Sequence, residues 1–169
     1  TDSATAATAA ATAVTAAATD TTAAADAAAS STFTLTTGID SFTGGFGDDT
    51  FTSVVSASLS GLDDLDGGAG AGDTLTISDT AGIAIPASAT VQNIETANFN
   101  SSAAVTGSVS GWTGLTTVNV GASTGTSNIT AAATTDVNFV NIAGAGVNKG
   151  INVVGGNDVV VVTTAGAVN

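Results

Sequence analysis

Residues Gly44-Gly45-Phe46-Gly47-Asp48-Asp49-Thr50-Phe51 bring glycines, carboxylates and an aromatic together at a spacing suited to holding a cation. They satisfy Gly-Gly-x-Gly-x-Asp-x-U-x, with U a large apolar residue, the nonapeptide of calcium-binding turns in parallel β-solenoids. Each residue type has a physical task. Glycine tolerates positive φ and lets the backbone turn tightly with its carbonyls exposed. Asp49 adds a hard anionic oxygen, and Phe51 returns the chain to an apolar interior. Calcium takes roughly six to eight oxygens at about 2.3–2.6 Å and accepts carbonyls and carboxylates together.

The flanks repeat the pattern. Asp40-Ser41-Phe42, nine residues before Asp49-Thr50-Phe51, carries the Asp-x-U half of the motif. A second block runs from Asp63 to Leu75, with Asp63-x-Leu65 ahead of Gly67-Gly68 and Asp73-x-Leu75 behind it. It is longer by one residue, its aspartates ten apart where Asp40 and Asp49 are nine apart. A poorer echo is Gly155-Gly156-Asn157-Asp158-Val159-Val160. The candidate calcium ligands are therefore Asp40, Gly45, Gly47, Asp48 and Asp49 in the first block, Asp63, Asp66, Gly68, Gly70 and Asp73 in the second, and Asp158 in the third. The glycines would act through their carbonyls. The competing reading is that Gly and Asp only mark solvent-facing turns.

The elements that must position these turns are strands. From Thr32 the chain alternates with period two: Phe33, Leu35 and Ile39 are set against Thr34 and Thr36, as in a strand with one buried face. Further β runs are read at 50–55, 74–78, 91–99, 105–109, 115–120, 128–130, 137–142, 151–154 and 159–163, most of them separated by glycine-bearing turns. Asn98, Asn119, Asn138 and Asn152 each lie between inward-facing candidates, 21, 19 and 14 residues apart. A spacing near one solenoid coil would stack them into a hydrogen-bonded ladder. Residues 1–32 are an Ala/Thr-rich segment without a large apolar stripe, read as a linker or a short helix over 23–29; residues 33–169 form the solenoid domain.

Composition narrows the function. Charged residues are 9%, against about 25% in ordinary domains. Apolar residues are 43%, but most are small, and six Phe and Trp112 are the only aromatics. Such side chains fill a thin core, two or three short faces wrapped on themselves, rather than a wide globular one. The net charge of −13 with a single cation, Lys149, argues against nucleic acid, because almost nothing would contact phosphate. Thirteen of the fourteen acids are Asp, most of them near glycine, which fits ion coordination. No run of about 18 apolar residues predicts a membrane span. Residues 1–32 lack the basic start and apolar middle of a secretory signal.

No histidine and no cysteine means no Ser-His or Cys-His nucleophile and no usual zinc site, so an enzyme is not expected. Paired carboxylates such as Asp63 and Asp64 lie in a turn with no arginine or aromatic subsite nearby.

The segment 38–51 resembles the calcium-binding RTX repeats of proteins secreted by Gram-negative bacteria. The phrase Val91-Gln92-Asn93-Ile94-Glu95-Thr96-Ala97-Asn98-Phe99, the run 67–78 and the Ala/Thr/Gly/Val/Asn composition resemble RTX-related bacterial surface-layer proteins, those of the Caulobacter type in particular. The resemblance covers 33–169 in style but only 38–75 in specific motifs, and two isolated blocks stand where RTX arrays have many consecutive repeats. It implies a calcium-stiffened β-solenoid exported by a type I system to the cell surface and assembled with copies of itself. It also implies an anchor, a cell-surface polysaccharide or lipopolysaccharide. The alternatives are a calcium-dependent adhesin, for which Trp112 is the one aromatic platform, and a noncatalytic module of a larger secreted protein.

Overall fold

The computed structural model describes residues 29–142 and 150–163, and every strand pair in them is parallel. The first coil holds β1 (Thr32–Thr34) and β2 (Ser41–Thr43), and the second β3 (Thr50–Ser53) and β4 (Asp64–Asp66). The third holds β5 (Thr74–Ser78), β6 (Ile83–Ile85) and β7 (Thr90–Gln92), and the fourth β8 (Thr96–Asn100) and β9 (Val105–Ser108). Then come β10 (Thr117–Gly121) with β11 (Ser127–Ala131), β12 (Asp136–Ile142) with β13 (Ile151–Gly155), and finally β14 (Val159–Thr163).

The chain is a parallel β-solenoid. One strand from each coil builds a long sheet in the order β1-β3-β5-β8-β10-β12-β14; a second sheet is β6-β9-β11-β13 and a short one β2-β4-β7. Register shows the coil lengths. Thr32, Thr50, Thr74, Thr96, Thr117 and Asp136 lie side by side, so the first five coils take 18, 24, 22, 21 and 19 residues. Val137 opposite Val159 makes the next step 22. The 18-residue first coil is two nonapeptides long. Among the described residues there is no helix, so none is long and apolar enough to cross a membrane.

The interior is one side chain deep, as the shortage of large apolar residues requires. One inward row of the long sheet is Phe33, Phe51, Leu75, Ala97, Val118, Val137 and Val159; its neighbour is Ser53, Ile77, Phe99, Val120, Phe139 and Val161. Phe51, Leu75, Phe99, Val120 and Phe139 are fully buried, each contributing about 1.5–3 kcal/mol relative to exposure. Phe33 stacks between Phe42 and Phe51, with ring centroids 5.2 and 4.8 Å away. Trp112 is buried against Phe99, centroids 6.1 Å apart, and so offers no exposed aromatic platform.

The outward rows carry Thr and Asn. Asn119 donates to Asn98 at 2.9 Å, and Asn138 to Asn119 at 3.1 Å, so three of the four expected asparagines form the ladder. Asn152 does not: it sits on β13 opposite Asn128 in the second sheet. Two strand readings are corrected. The run 91–99 is two strands, because Asn93 takes φ +52° and turns the corner between β7 and β8. Ile39 does not continue the first strand's buried face; β1 ends at Thr34, and Ile39 is 68% exposed at the next corner. The short strands β2, β4 and β6 escape a run-length reading because each is three residues long. The segment 23–29 lies almost wholly outside the described residues.

Candidate functional site

The nine-residue spacing of Asp40 and Asp49 puts them at the starts of successive strands, and stacking of coils then sorts the acids into two columns. Thr50 lies opposite Thr74, and Thr74 opposite Thr96, so Asp49, Asp73 and Glu95 stand in one column before the long sheet. Ser41 lies opposite Asp64, so Asp40 and Asp63 stand in another, before the short sheet. The two blocks legible in the sequence are therefore successive coils laid one on the other, and the extra residue of the second is absorbed in the loop 67–73.

In the long-sheet column each carboxylate reaches back to the coil before it. Asp49 accepts the Ser31 N–H at 2.5 Å, Asp73 accepts the Asp49 N–H at 2.5 Å, and Glu95 accepts the Asp73 N–H at 2.9 Å. Asp49 also accepts the Gly45 N–H at 2.7 Å through its other oxygen, which closes the loop 44–49. Asp49 and Asp73 are completely buried. Such bonds satisfy backbone donors that a corner leaves unpaired.

The loops themselves are in contact. Ala69 donates to the Gly45 carbonyl at 2.7 Å, and Gly44 to the Asp66 carbonyl at 2.7 Å. The Gly45 and Gly47 carbonyls lie against Gly68 and Gly70, where no side chain would fit, and Gly68 has φ +92°. A Cβ on Gly67 would strike both the Asn93 carbonyl and Asp73 Oδ2, and one on Gly44 would strike Asp49 Oδ2 and the Gly67 carbonyl. Asp48, exposed at the rim, has its carboxylate over Gly72.

One atom in this cradle is unsatisfied. Asp73 Oδ2 is buried without a hydrogen-bond partner, one of two such side-chain atoms among the described residues, the other being Ser58 Oγ. A buried unpaired charged oxygen is costly. Burial accordingly holds the Asp73 carboxyl above the ordinary carboxylate range; the negative charges of Glu95, Asp49 and Asp48 push the same way, against the Asp49 N–H bond. Among the described residues no three acidic groups converge as a ready metal cluster, so a cation here would have to draw on glycine carbonyls as well.

The short-sheet column is different. Asp40 takes the Thr36 N–H at 2.8 Å on one oxygen and the Thr36 hydroxyl at 3.0 Å on the other. Asp63 takes the Ser60 N–H at 2.7 Å, the Ser60 hydroxyl at 2.6 Å and, from the preceding coil, the Asp40 N–H at 3.1 Å. Every oxygen of this pair has a partner. Asp66 forms a third group: it accepts from the Asn93 and Gln92 amides and the Gly68 N–H, bonds that hold its carboxyl below the ordinary range, Asn93 most strongly.

No protein-family model, no curated protein and no solved structure matches this chain.

Of the candidate ligands, the structure thus gathers Asp48, Asp49, Asp73, Gly45, Gly47, Gly68 and Gly70 at one corner, with Asp66 on the strand leading into it. Asp40 and Asp63 form the separate column. Asp158 joins neither group; it is exposed beside β14 and accepts the Val159 N–H at 2.9 Å. Two acids escaped the sequence reading. Glu95, third in the long-sheet column, has no glycine loop before it, yet Glu95-Thr96-Ala97 repeats the acid-Thr-apolar order of Asp49-Thr50-Phe51 and Asp73-Thr74-Leu75. Asp79 accepts the Ala81 N–H and the Ser56 hydroxyl, both at 2.8 Å, and its carboxyl is held below the ordinary range by them, Ala81 most. It closes the corner after β5, and nothing in its local sequence separates it from a turn aspartate.

Proposed function

We propose that this chain is a noncatalytic structural module, a calcium-ordered solenoid that assembles with copies of itself outside the cell as part of a surface layer or filament. The observation that carries the calcium reading is Asp73 Oδ2, a buried carboxylate oxygen with no partner, cradled by glycines and faced by Asp48, Asp49 and Glu95. The donor set fits a hard cation: Asp73, Asp49 and Asp48 through carboxylates, and Gly45, Gly47, Gly68 and Gly70 through carbonyls. A divalent cation would supply the positive charge that these oxygens lack.

The chain's own part is to hold the oxygens in place. Asp49 and Asp73 are fixed from behind by the Ser31, Gly45 and Asp49 N–H groups, so their positions are set by the coils and not by flexible side chains. The column of Asp40 and Asp63 is held by protein donors alone. A net charge of −13 on a thin core favours a fold that depends on cations. The structural reading is favoured over an adhesin because Trp112, the one candidate platform, is buried. The surface location and the polysaccharide or lipopolysaccharide anchor rest on the resemblance of 38–75 to RTX surface-layer sequences.

The test is thermal unfolding and light scattering of the full chain in excess calcium and in excess chelator, for the wild type, Asp73→Asn and Asp63→Asn. Calcium at about a hundred times its dissociation constant should add about 2.7 kcal/mol for one site. The Asp73→Asn variant should lose that increment and Asp63→Asn should keep it. An unfolding curve that chelator leaves unmoved in the wild type would sink the calcium reading.

A further inference from the structure

Among the described residues, the first and last strands of the solenoid are the two edges of one sheet. At one edge is β1, where Leu35 donates its N–H to the Thr52 carbonyl and Thr50 donates to the Ser31 carbonyl. Residues 31, 33 and 35 therefore face β3, and strand alternation turns the N–H and C=O of Thr32 and Thr34 to the open side. At the other edge is β14, where Val137 donates to the Asp158 carbonyl. Residues 158, 160 and 162 face β12, so the backbone groups of Val159 and Val161 point to the open side.

The apolar side chains at these edges are also partly exposed. Val159 and Val161, which end the two inward rows, are 44% and 47% exposed, Ile151 and Val153 of the same end are half-buried, and Phe33 and Phe42 are half-buried at the opposite end; Val160 and Val162 add an exposed apolar outer face. Edge strands are ordinarily blunted by charge or proline because a bare one templates pairing. Between 159 and 163 there is neither, only four valines and a threonine.

We propose that copies of this chain join head to tail, β14 of one copy pairing in parallel with β1 of the next, so that the long sheet and its inward rows run on from copy to copy. This deepens the self-assembly reading above, and rests on it, by naming the surface used. A second copy is the occupant that fits because its own first coil offers the complementary edge of the same sheet: open backbone groups at Thr32 and Thr34, Phe33 beneath them, and the parallel sense of every other pair in the molecule. The joint sets Asp158 beside Thr32, so no two carboxylates are stacked there. Because the two surfaces differ, the contact is heterologous and does not close on itself; it yields an open filament.

The experiment uses the full chain in saturating calcium, with mass read by sedimentation across a concentration series and shape by electron microscopy. Val161→Pro removes one of the two open-edge donors of β14, and Thr34→Pro one of the two of β1, each at a position where proline breaks no existing ladder bond and its ring blocks the close approach of a pairing strand. The wild type should grow with concentration into linear chains. Each variant alone should stay monomeric, and an equimolar mixture should form a one-to-one dimer through the single intact edge of each, which also shows that both are folded. A Thr34→Pro variant that dimerises by itself would mean two-fold pairing of β14 and overturn the proposal, as would a mixture that stays monomeric. Ordered arrays unaffected by either variant would overturn the head-to-tail joint while leaving self-assembly standing. Linear chains that persist in chelator would instead defeat the calcium reading and leave the joint intact.

Discussion

Asp40 with Asp63, and Asp49 with Asp73, are the same residue type at the start of a strand, one coil stacked on the next, yet the first pair has a partner for every oxygen and the second does not. In the first pair Thr36 and Ser60 stand three or four residues ahead of the acid, and their hydroxyls and N–H groups fill the carboxylates. In the second pair Gly45 and Gly70 stand at those places. With no hydroxyl to offer, the loops 44–49 and 67–73 leave Asp73 with one buried oxygen unpaired. Asp49 is still completed by the Ser31 and Gly45 N–H groups, so within this pair only Asp73 is left as an unfinished anion site. The glycines that deny a partner also bring the carbonyls of one loop against the next.

The strongest way to break this comparison is to add one methyl group to each corner. Gly67→Ala would set a Cβ against the Asn93 carbonyl and Asp73 Oδ2, backbone and a fixed carboxylate, and should cost at least about 3 kcal/mol by urea unfolding. Gly61→Ala, near the other column, would meet only the movable Ser88 hydroxyl and should cost less than about 1 kcal/mol. Equal costs would mean that the glycine loops are no tighter than ordinary turns.

A smaller effect separates the acids. Asp49→Ala strands the Ser31 and Gly45 N–H groups, the latter inside a closed loop, and should destabilise by about 2–3 kcal/mol. Asp40→Ala frees the Thr36 N–H and hydroxyl at an exposed corner, where water replaces the carboxylate, and about 1 kcal/mol is expected. Reversal of that order would show that the capping column, and not the cradle, holds the first two coils together.

The smallest effect is in pH. A carboxyl raised in the folded state stabilises the fold below its unfolded pKa, and that contribution is lost as pH rises through the folded value; Asp73 is such a group. Asp66 and Asp79 have lowered values, so their contribution is present above the unfolded pKa and fades as pH falls through the folded one. In chelator, Asp73→Asn should therefore raise the melting temperature near neutral pH and flatten its decline between mildly acidic and neutral pH. In contrast, Asp66→Asn should lower the neutral value and reduce the loss on acidification. If Asp73→Asn lowers the neutral melting temperature without calcium, the unpaired oxygen is not a source of instability.

Much of the solenoid was legible in the chain. Period-two alternation around Phe33, Phe51, Leu75 and Phe99, with small apolar residues and glycine-bearing turns, leaves a thin parallel stack as the way to bury so little bulk. The repeated order Asp-x-U, Gly-Gly, Asp-x-U in 40–51 and 63–75 anticipated which residues lie over which. Legibility failed where coil geometry and not local pattern decides. Asn93 looks like mid-strand sequence but turns a corner with positive φ. Asn152 lies between two apolar residues as Asn98 does, yet it is on a different sheet, because coils of unequal length change which strand it joins. Glu95 has no glycine loop to announce it, and only stacking beneath Asp73 shows its role.

By itself the sequence determined the backbone's menu and the supply of charge: parallel strands one side chain deep, tight glycine turns, and acids with almost no cations to balance them. Tertiary structure alone decided which acids are stacked on one another and which backbone donors of a neighbouring coil they receive. That outcome depends on donors 18 to 24 residues away being carried past each carboxylate by one turn of the solenoid, a distance set by the lengths of whole coils and invisible in any local motif.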